Sequence, residues 1–492
     1  MLFNSLSYIL FILIAFVVFS LIKRRFYLIT ALLFSLFFYG MWSPVYLIMI
    51  VFSATCDYLI AKLMLNFSRG ARTRFFLLSL SIFINISVLI VFKYYDFFLG
   101  SVSNLLNVFG VNFISHSLGL ILPLGISFYT FLAISYVVDV YRGLVAAENN
   151  YTRYLLYVFF WPHMIAGPIL RPAELLQKLN FLKINLGIPM FKSFHLIIVG
   201  LFLKVVLGDQ IGPGVDEAFL VKPNLLSGLD VFTMAYSFGL QIYFDFAGYS
   251  LIAIGSAQLF GVKFPYNFYW PYLAANPRNF WRRWHITLSS WIRDYLYLPL
   301  QGVTVKPSSL GGIDHISNYN HKRTHAFRVF LALFLTWVLM GLWHGANWQF
   351  AFWGIWHALL IVIFKAFKLT QVNGSLSYLS SFLGNMFTIP LIMLGWIFFR
   401  SPSPEAALSI FSNLFSLNLF KISLAFEENF YLIIFVLYVA MLICYFFEKF
   451  CFNSIFKKPI HKIIFLSFID MLLIPPIIMF WGGERQFIYF QF

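Results

Sequence analysis

The run Val329-Phe330-Leu331-Ala332-Leu333-Phe334-Leu335-Thr336-Trp337-Val338-Leu339-Met340-Gly341-Leu342-Trp343 carries no charge and places apolar side chains on every side of a helix. A second apolar run, 349–366, follows after the short break His344-Gly345-Ala346-Asn347-Trp348. A bilayer span takes about 20 mostly apolar residues, so this pair reads as two membrane helices joined by a tight turn. The runs are continuous rather than alternating, which argues against an outer-membrane barrel.

Working outward, similar runs lie near 5–22, 26–40, 44–61, 75–92, 119–140, 193–208, 231–260, 384–399, 430–447 and 463–481. The sequence therefore predicts an all-α polytopic membrane protein with about 11–12 transmembrane helices. Run 231–260 is long enough to bend or break. Segment 154–166, interrupted by Trp161-Pro162-His163, is expected to be re-entrant. Composition agrees: 61% of the 492 residues are hydrophobic, 21% aromatic and only 11% charged, and mean hydropathy is +0.84. A water-soluble multidomain enzyme is excluded. The chain is taken as a single integral-membrane domain, 1–492.

Lys and Arg number 34 against 18 Asp and Glu, a formal +16. In a membrane protein this excess first reflects topology, because basic residues collect in cytoplasmic loops. With the N-terminus outside, most of the basic residues fall on the cytoplasmic side, and Asp209, Asp216, Glu217 and Asp230 fall outside. The first run is no cleaved signal peptide: it lacks a basic lead, and Lys23-Arg24-Arg25 follows it. Nothing points to nucleic acid. Cys56, Cys444 and Cys451 form no metal or disulfide pattern. No internal repeat of the transporter kind is visible.

Two stretches outside the spans stand out: 263–300, basic and aromatic, and 301–328, a polar loop on the same, cytoplasmic side. Read as one continuous helix, 280–295 places Trp281, Trp284, His285, Leu288, Trp291, Ile292 and Tyr295 on one arc. Arg282, Arg283, Ser290, Arg293 and Asp294 take the other side. That pattern suits an interfacial helix whose arginines meet lipid phosphates or a phosphorylated donor. His285 points inward, where an imidazole needs a partner.

His344 sits between small residues and Trp343 at membrane depth, where an ionisable group is a functional candidate. His357, thirteen residues on, need not share its site. In the run Gln241-Ile242-Tyr243-Phe244-Asp245-Phe246-Ala247-Gly248-Tyr249-Ser250, Asp245 is an acid inside an apolar span, suited to an ion pathway, a proton relay or a structural polar network. Asp57 and Asp470, nearer the ends of their spans, read as structural. No phosphate-binding loop, zinc signature or nucleophile elbow is present.

These three runs occur in order, and with them the chain resembles the membrane-bound O-acyltransferase family. It is most similar to the bacterial branch that serves O-acetylation of alginate and peptidoglycan. The resemblance extends through Met1-Leu2-Phe3-Asn4-Ser5, Leu122 to Phe131, Ala166-Gly167-Pro168-Ile169, Phe280 to Pro299, Gly341 to Trp348, and Phe487 to Phe492. It departs at Gln301-Gly302-Val303-Thr304, where alginate-type relatives have a Gly-Gly-Asn-Arg-Lys-like turn.

The resemblance implies a ring of spans around a central funnel, with re-entrant and interfacial helices. It makes His344 the catalytic residue and His285 the second active-site histidine. Arg282, Arg283 and Arg293, with Trp281 and Trp284, would meet the donor. Trp343, Asn347, Asp245 and Tyr243 would support the site. No metal and no tightly bound cofactor is expected; acetyl-CoA is the expected co-substrate. The implied setting is a bacterial inner membrane, with membrane lipids around the protein. The acceptor would be an envelope polysaccharide, reached through a periplasmic SGNH-type acyltransferase partner. The alternatives are D-alanyl transfer from a carrier protein to teichoic acid, or a transporter or flippase without covalent chemistry.

Overall fold

A computed structural model describes residues 1–113, 116–164, 167–303, 326–367, 369, 377–415, 424–482 and 485–490. Most of the polar loop 301–328 lies outside the described residues. Every regular element described is helical. In chain order they are α1 (Leu6–Leu21), α2 (Tyr27–Gly40), α3 (Pro44–Leu63), α4 (Arg72–Leu89), α5 (Tyr95–Val108), α6 (Ile126–Arg142), α7 (Tyr151–Phe159), α8 (Trp161–Met164), α9 (Pro172–Lys178), α10 (Ile188–Leu201) and α11 (Asp209–Ala218). Then come α12 (Gly228–Leu259), α13 (Pro277–Trp281), α14 (Ile286–Ile292), α15 (Leu298–Leu300), α16 (Ala326–His344), α17 (Trp348–Ala366), α18 (Ser377–Arg400), α19 (Pro404–Ser412), α20 (Glu428–Phe446), α21 (Asn453–Ile455) and α22 (Pro459–Met479).

Each of the twelve apolar runs coincides with a helix. Eight helices among the described residues are long and apolar enough to cross a membrane. At 16, 14 and 17 residues, α1, α2 and α6 fall short of a full crossing. The run expected to bend or break forms one 32-residue helix, α12. The segment expected to be re-entrant forms two short helices, α7 and α8, parted at Phe160, two residues before Pro162, which has no N–H to continue the ladder. Capping follows the sequence: Ser5, Ser43 and Asn150 accept the orphan N–H groups of α1, α3 and α7.

The chain forms two compact units. The first comprises 1–193, 253–265 and 293–324. Its core is aromatic: Trp161, fully buried, packs against Phe11, Phe160 and Phe260 at centroid distances of 5.8, 4.9 and 5.0 Å. Asp57 accepts hydrogen bonds from Ser81 Oγ (2.5 Å) and Asn85 Nδ2 (3.0 Å), so it crosslinks α3 to α4.

The second unit comprises 194–252, 266–292 and 325–492. Two close backbone contacts organise it. A Cβ on Gly200 would lie 2.7 Å from the Gly248 carbonyl, and one on Gly248 would lie 2.6 Å from that of Gly200. In the α16–α17 hairpin, a Cβ on Gly341 would lie 2.0 Å from the Phe350 carbonyl, and one on Gly354 2.2 Å from that of Trp337. Only hydrogen fits at these four positions, and small residues at helix contacts are how apolar helices associate without a hydrophobic driving force. Asp470 lies near the middle of α22 rather than near an end, and pairs with His195 Nδ1 at 2.7 Å.

These contacts predict that Gly354→Ala forces α16 and α17 apart and destabilises the protein by about 1–3 kcal/mol. Gly100→Ala, with open space at its Cβ, serves as a neutral control. Thermal melting in detergent should show a lowered midpoint for the first only; equal midpoints would refute the close-contact reading.

Candidate active site

The segment expected as one helix over 280–295 is broken. It runs as α13, then the turn Arg282–His285, then α14, and finally a π-helical turn over Arg293–Tyr297. His285 adopts φ +41°, a left-handed conformation no α-helix can continue through. The cause lies elsewhere in the chain. Asn267 uses its carbonyl to accept the Ile286 N–H (2.8 Å) and its side-chain oxygen to accept Thr287 Oγ1 (2.6 Å). Its amide donates to Ser250 Oγ on α12 (3.2 Å), and Tyr269 N–H bonds the Arg283 carbonyl (2.9 Å). The backbone groups around the turn are therefore held by a distant stretch rather than by a helical ladder.

The inward set survives this break except for Tyr295, which is half-buried. Trp281, Trp284, His285, Leu288, Trp291 and Ile292 are all buried, and Arg282 is exposed. Asp294, expected on the polar side, is buried.

His285 packs edge-to-face on Phe246 at 4.6 Å. Phe246 in turn meets Tyr489 at 4.7 Å, and Tyr489 meets His344 at 5.5 Å. The two histidines, 59 positions apart in sequence, are thus joined by two aromatic rings. His344 ends α16 and also touches Trp343 (4.8 Å), Trp353 (5.1 Å) and Phe399 (5.3 Å). Trp353 carries His357 on another edge at 4.9 Å, so His357 lies one ring from His344.

The other predicted residues divide. Tyr243 and Trp284 come together at 6.2 Å, and Trp284 reaches Trp396 at 5.0 Å. Trp281 packs on Trp337, Trp353 and His357. Asn347 is exposed, and its side chain caps α17 by accepting the Trp348 N–H at 2.7 Å. The space beside Gly345 is filled by the Phe350 ring, which a Cβ there would meet at 2.0 Å.

Arg283 donates to the Trp270 carbonyl (3.5 Å) and lies over the Tyr269 ring. Arg293 belongs to the first unit. There it bonds Asp294 at 2.6 Å, and Asp294 also holds Arg171 at 2.5 Å, so part of its charge is spent within the fold. Asp245 pairs with Lys204 and accepts the Ile488 N–H at 2.7 Å.

Tyr489, Phe246, Trp353 and Phe399 were not singled out from the sequence. Tyr489 lay within a recognised segment, but nothing in its spacing pointed to His344. Among the described residues no three His, Cys, Asp or Glu side chains converge as a metal site would require.

Comparison with known proteins follows this geometry. Residues 144–312 match the model of the MBOAT, membrane-bound O-acyltransferase family. A probable alginate O-acetylase of Azotobacter vinelandii is 35% identical over 69% of this chain and 62% of its own length. The peptidoglycan O-acetyltransferase of Helicobacter pylori is 34% identical over 78% of this chain and 73% of its own. A teichoic acid D-alanyltransferase of Bacillus subtilis is more distant, 28% identical over 50% and 59%. The chain thus spans less than two thirds of the Azotobacter protein and nearly three quarters of the Helicobacter one. With two histidines in one aromatic setting within a bundle of apolar helices, and with this similarity, the chain belongs to the membrane-bound O-acyltransferase family.

Proposed function

We propose that this protein takes an acetyl group from acetyl-CoA on the cytoplasmic side of a bacterial inner membrane and passes it through the membrane. The product is an O-acetylated envelope polysaccharide, peptidoglycan or an alginate-like glycan, completed by a periplasmic SGNH-type partner. The observation that carries this reading is the joining of His285 and His344 through Phe246 and Tyr489. Higher similarity to the two O-acetyl-transferring relatives than to the D-alanyltransferase favours acetyl over D-alanyl transfer.

The chemistry needs one proton moved at each stage. The acceptor hydroxyl oxygen attacks the thioester carbonyl carbon while His344 takes its proton. The carbon–sulfur bond then breaks, and the leaving thiolate takes up a proton. His285, buried and uncharged, orients the donor rather than attracting its phosphates. Exposed Arg282, with Arg283, supplies positive charge for the phosphates.

A general base contributes about 10²–10⁴-fold, so His344→Ala should lose transfer by that range in proteoliposomes supplied with acetyl-CoA, without loss of fold. Wild-type transfer by this variant would remove His344 from the mechanism, and turnover only with a D-alanyl carrier protein would remove acetyl-CoA as donor.

Burial pushes the His285 imidazole down to about 3. An unfolded histidine titrates near 6.5, so the unfolded state binds the extra proton first as pH falls. Stability from this group is complete above about pH 6.5 and declines as pH drops toward 3. Melting temperature should therefore fall between pH 7 and 4.5. His285→Asn, which tolerates the left-handed backbone, should show a shallower fall; equal slopes would contradict a neutral buried imidazole.

A further inference from the structure

Within the second unit, a buried charge cluster has no part in the chemistry above. Lys204, 1% exposed, lies on a π-helical turn (Phe202–Gly208) between α10 and α11. Such turns often mark functional positions. Its ammonium bonds Asp209 (2.8 Å) and Asp245, and donates to the Gln486 carbonyl (3.4 Å). The other Asp245 oxygen accepts the Ile488 N–H at 2.7 Å. The Arg485 guanidinium lies against α11, where a Cβ on Gly212 would meet it at 2.5 Å.

Segment Arg485–Phe490 is thus held by its backbone, through one carbonyl and one N–H two residues apart. That grip fixes where its side chains go. Phe487, fully buried, stacks beside Tyr249 at 4.5 Å and Phe246 at 5.4 Å. Tyr489 enters between Phe246 and His344. Charge argues the same way. Lys204 faces two carboxylates, and the exposed Arg485 of the segment adds positive charge near Asp209, so its docking favours the cluster.

We propose that Lys204 and Asp245 are positioning residues for acyl transfer: their ion pair docks segment 485–490 so that Tyr489 completes the aromatic wall shared by His285 and His344. This rests on the assignment of His344 as the active-site base. The pair touches no reacting atom. It acts through the segment, and loss of the segment's register disturbs the setting of His344 while the donor's binding surface stays intact.

Hydrogen exchange over 485–490 and acetyl transfer in proteoliposomes, measured on the same preparations, test this. Ile488→Pro removes the N–H that Asp245 accepts, together with the buried Ile488 side chain, and leaves both partners of the ion pair in place. It should raise exchange of the segment at least about 10-fold. Its kcat should fall at least about 30-fold, with donor KM changed less than about threefold. Lys204→Met should behave alike, and Lys204→Arg should restore both readouts. If Lys204→Met does not fold, Ile488→Pro decides alone. A segment that exchanges freely while transfer stays at wild-type level overturns the proposal. So does transfer lost while the segment remains protected. His344→Ala, run in parallel, separates the two readings: full transfer there sinks the site assignment itself, whereas free exchange without loss in a His344-dependent protein sinks only the clamp.

Discussion

The contact between Gly200 and Gly248 is the constraint on which the second unit depends. Two helices that lack side chains at facing positions approach until each glycine's Cα lies against the other's carbonyl. Only at that separation does Lys204 reach Asp245, one turn away on each helix. An isolated charge at such depth is costly, so the ion pair and the close contact require one another. From the pair, hydrogen bonds run to Gln486 and Ile488, and from there ring contacts run to His344. A chain of physical contacts thus links helix packing to the candidate base.

The aromatic content has a related origin. In an apolar surround, association depends on close packing rather than on exclusion of water. Flat rings at about 4.5–7 Å fill that need and orient imidazoles edge-to-face. His285, His344 and His357 all sit this way, each against Phe or Trp rings.

Some of the site was legible from local pattern. His344 stood out because it ends an apolar run at membrane depth, between small residues and Trp343. The inward direction of Trp284, His285 and Leu288 was also legible, although the helix behind that expectation does not exist. The pattern succeeded because burial, not helicity, dictates where apolar side chains point. The break itself was not legible. It depends on Asn267, which lies eighteen positions before His285 and binds the turn with backbone and side chain together. Asn347 shows the opposite case: adjacent to the site in sequence, it is consumed by capping a helix.

By itself the sequence determined that this chain is a helical membrane protein and where its apolar runs lie. Those properties follow from local hydrophobicity, which is written residue by residue. The tertiary structure decided how the histidines meet, that Tyr489 stands between them and His357 beside them, and that Asp245 belongs to an ion pair. Those outcomes depend on contacts between positions as far apart as 245 and 488, and no periodicity along the chain encodes such a distance.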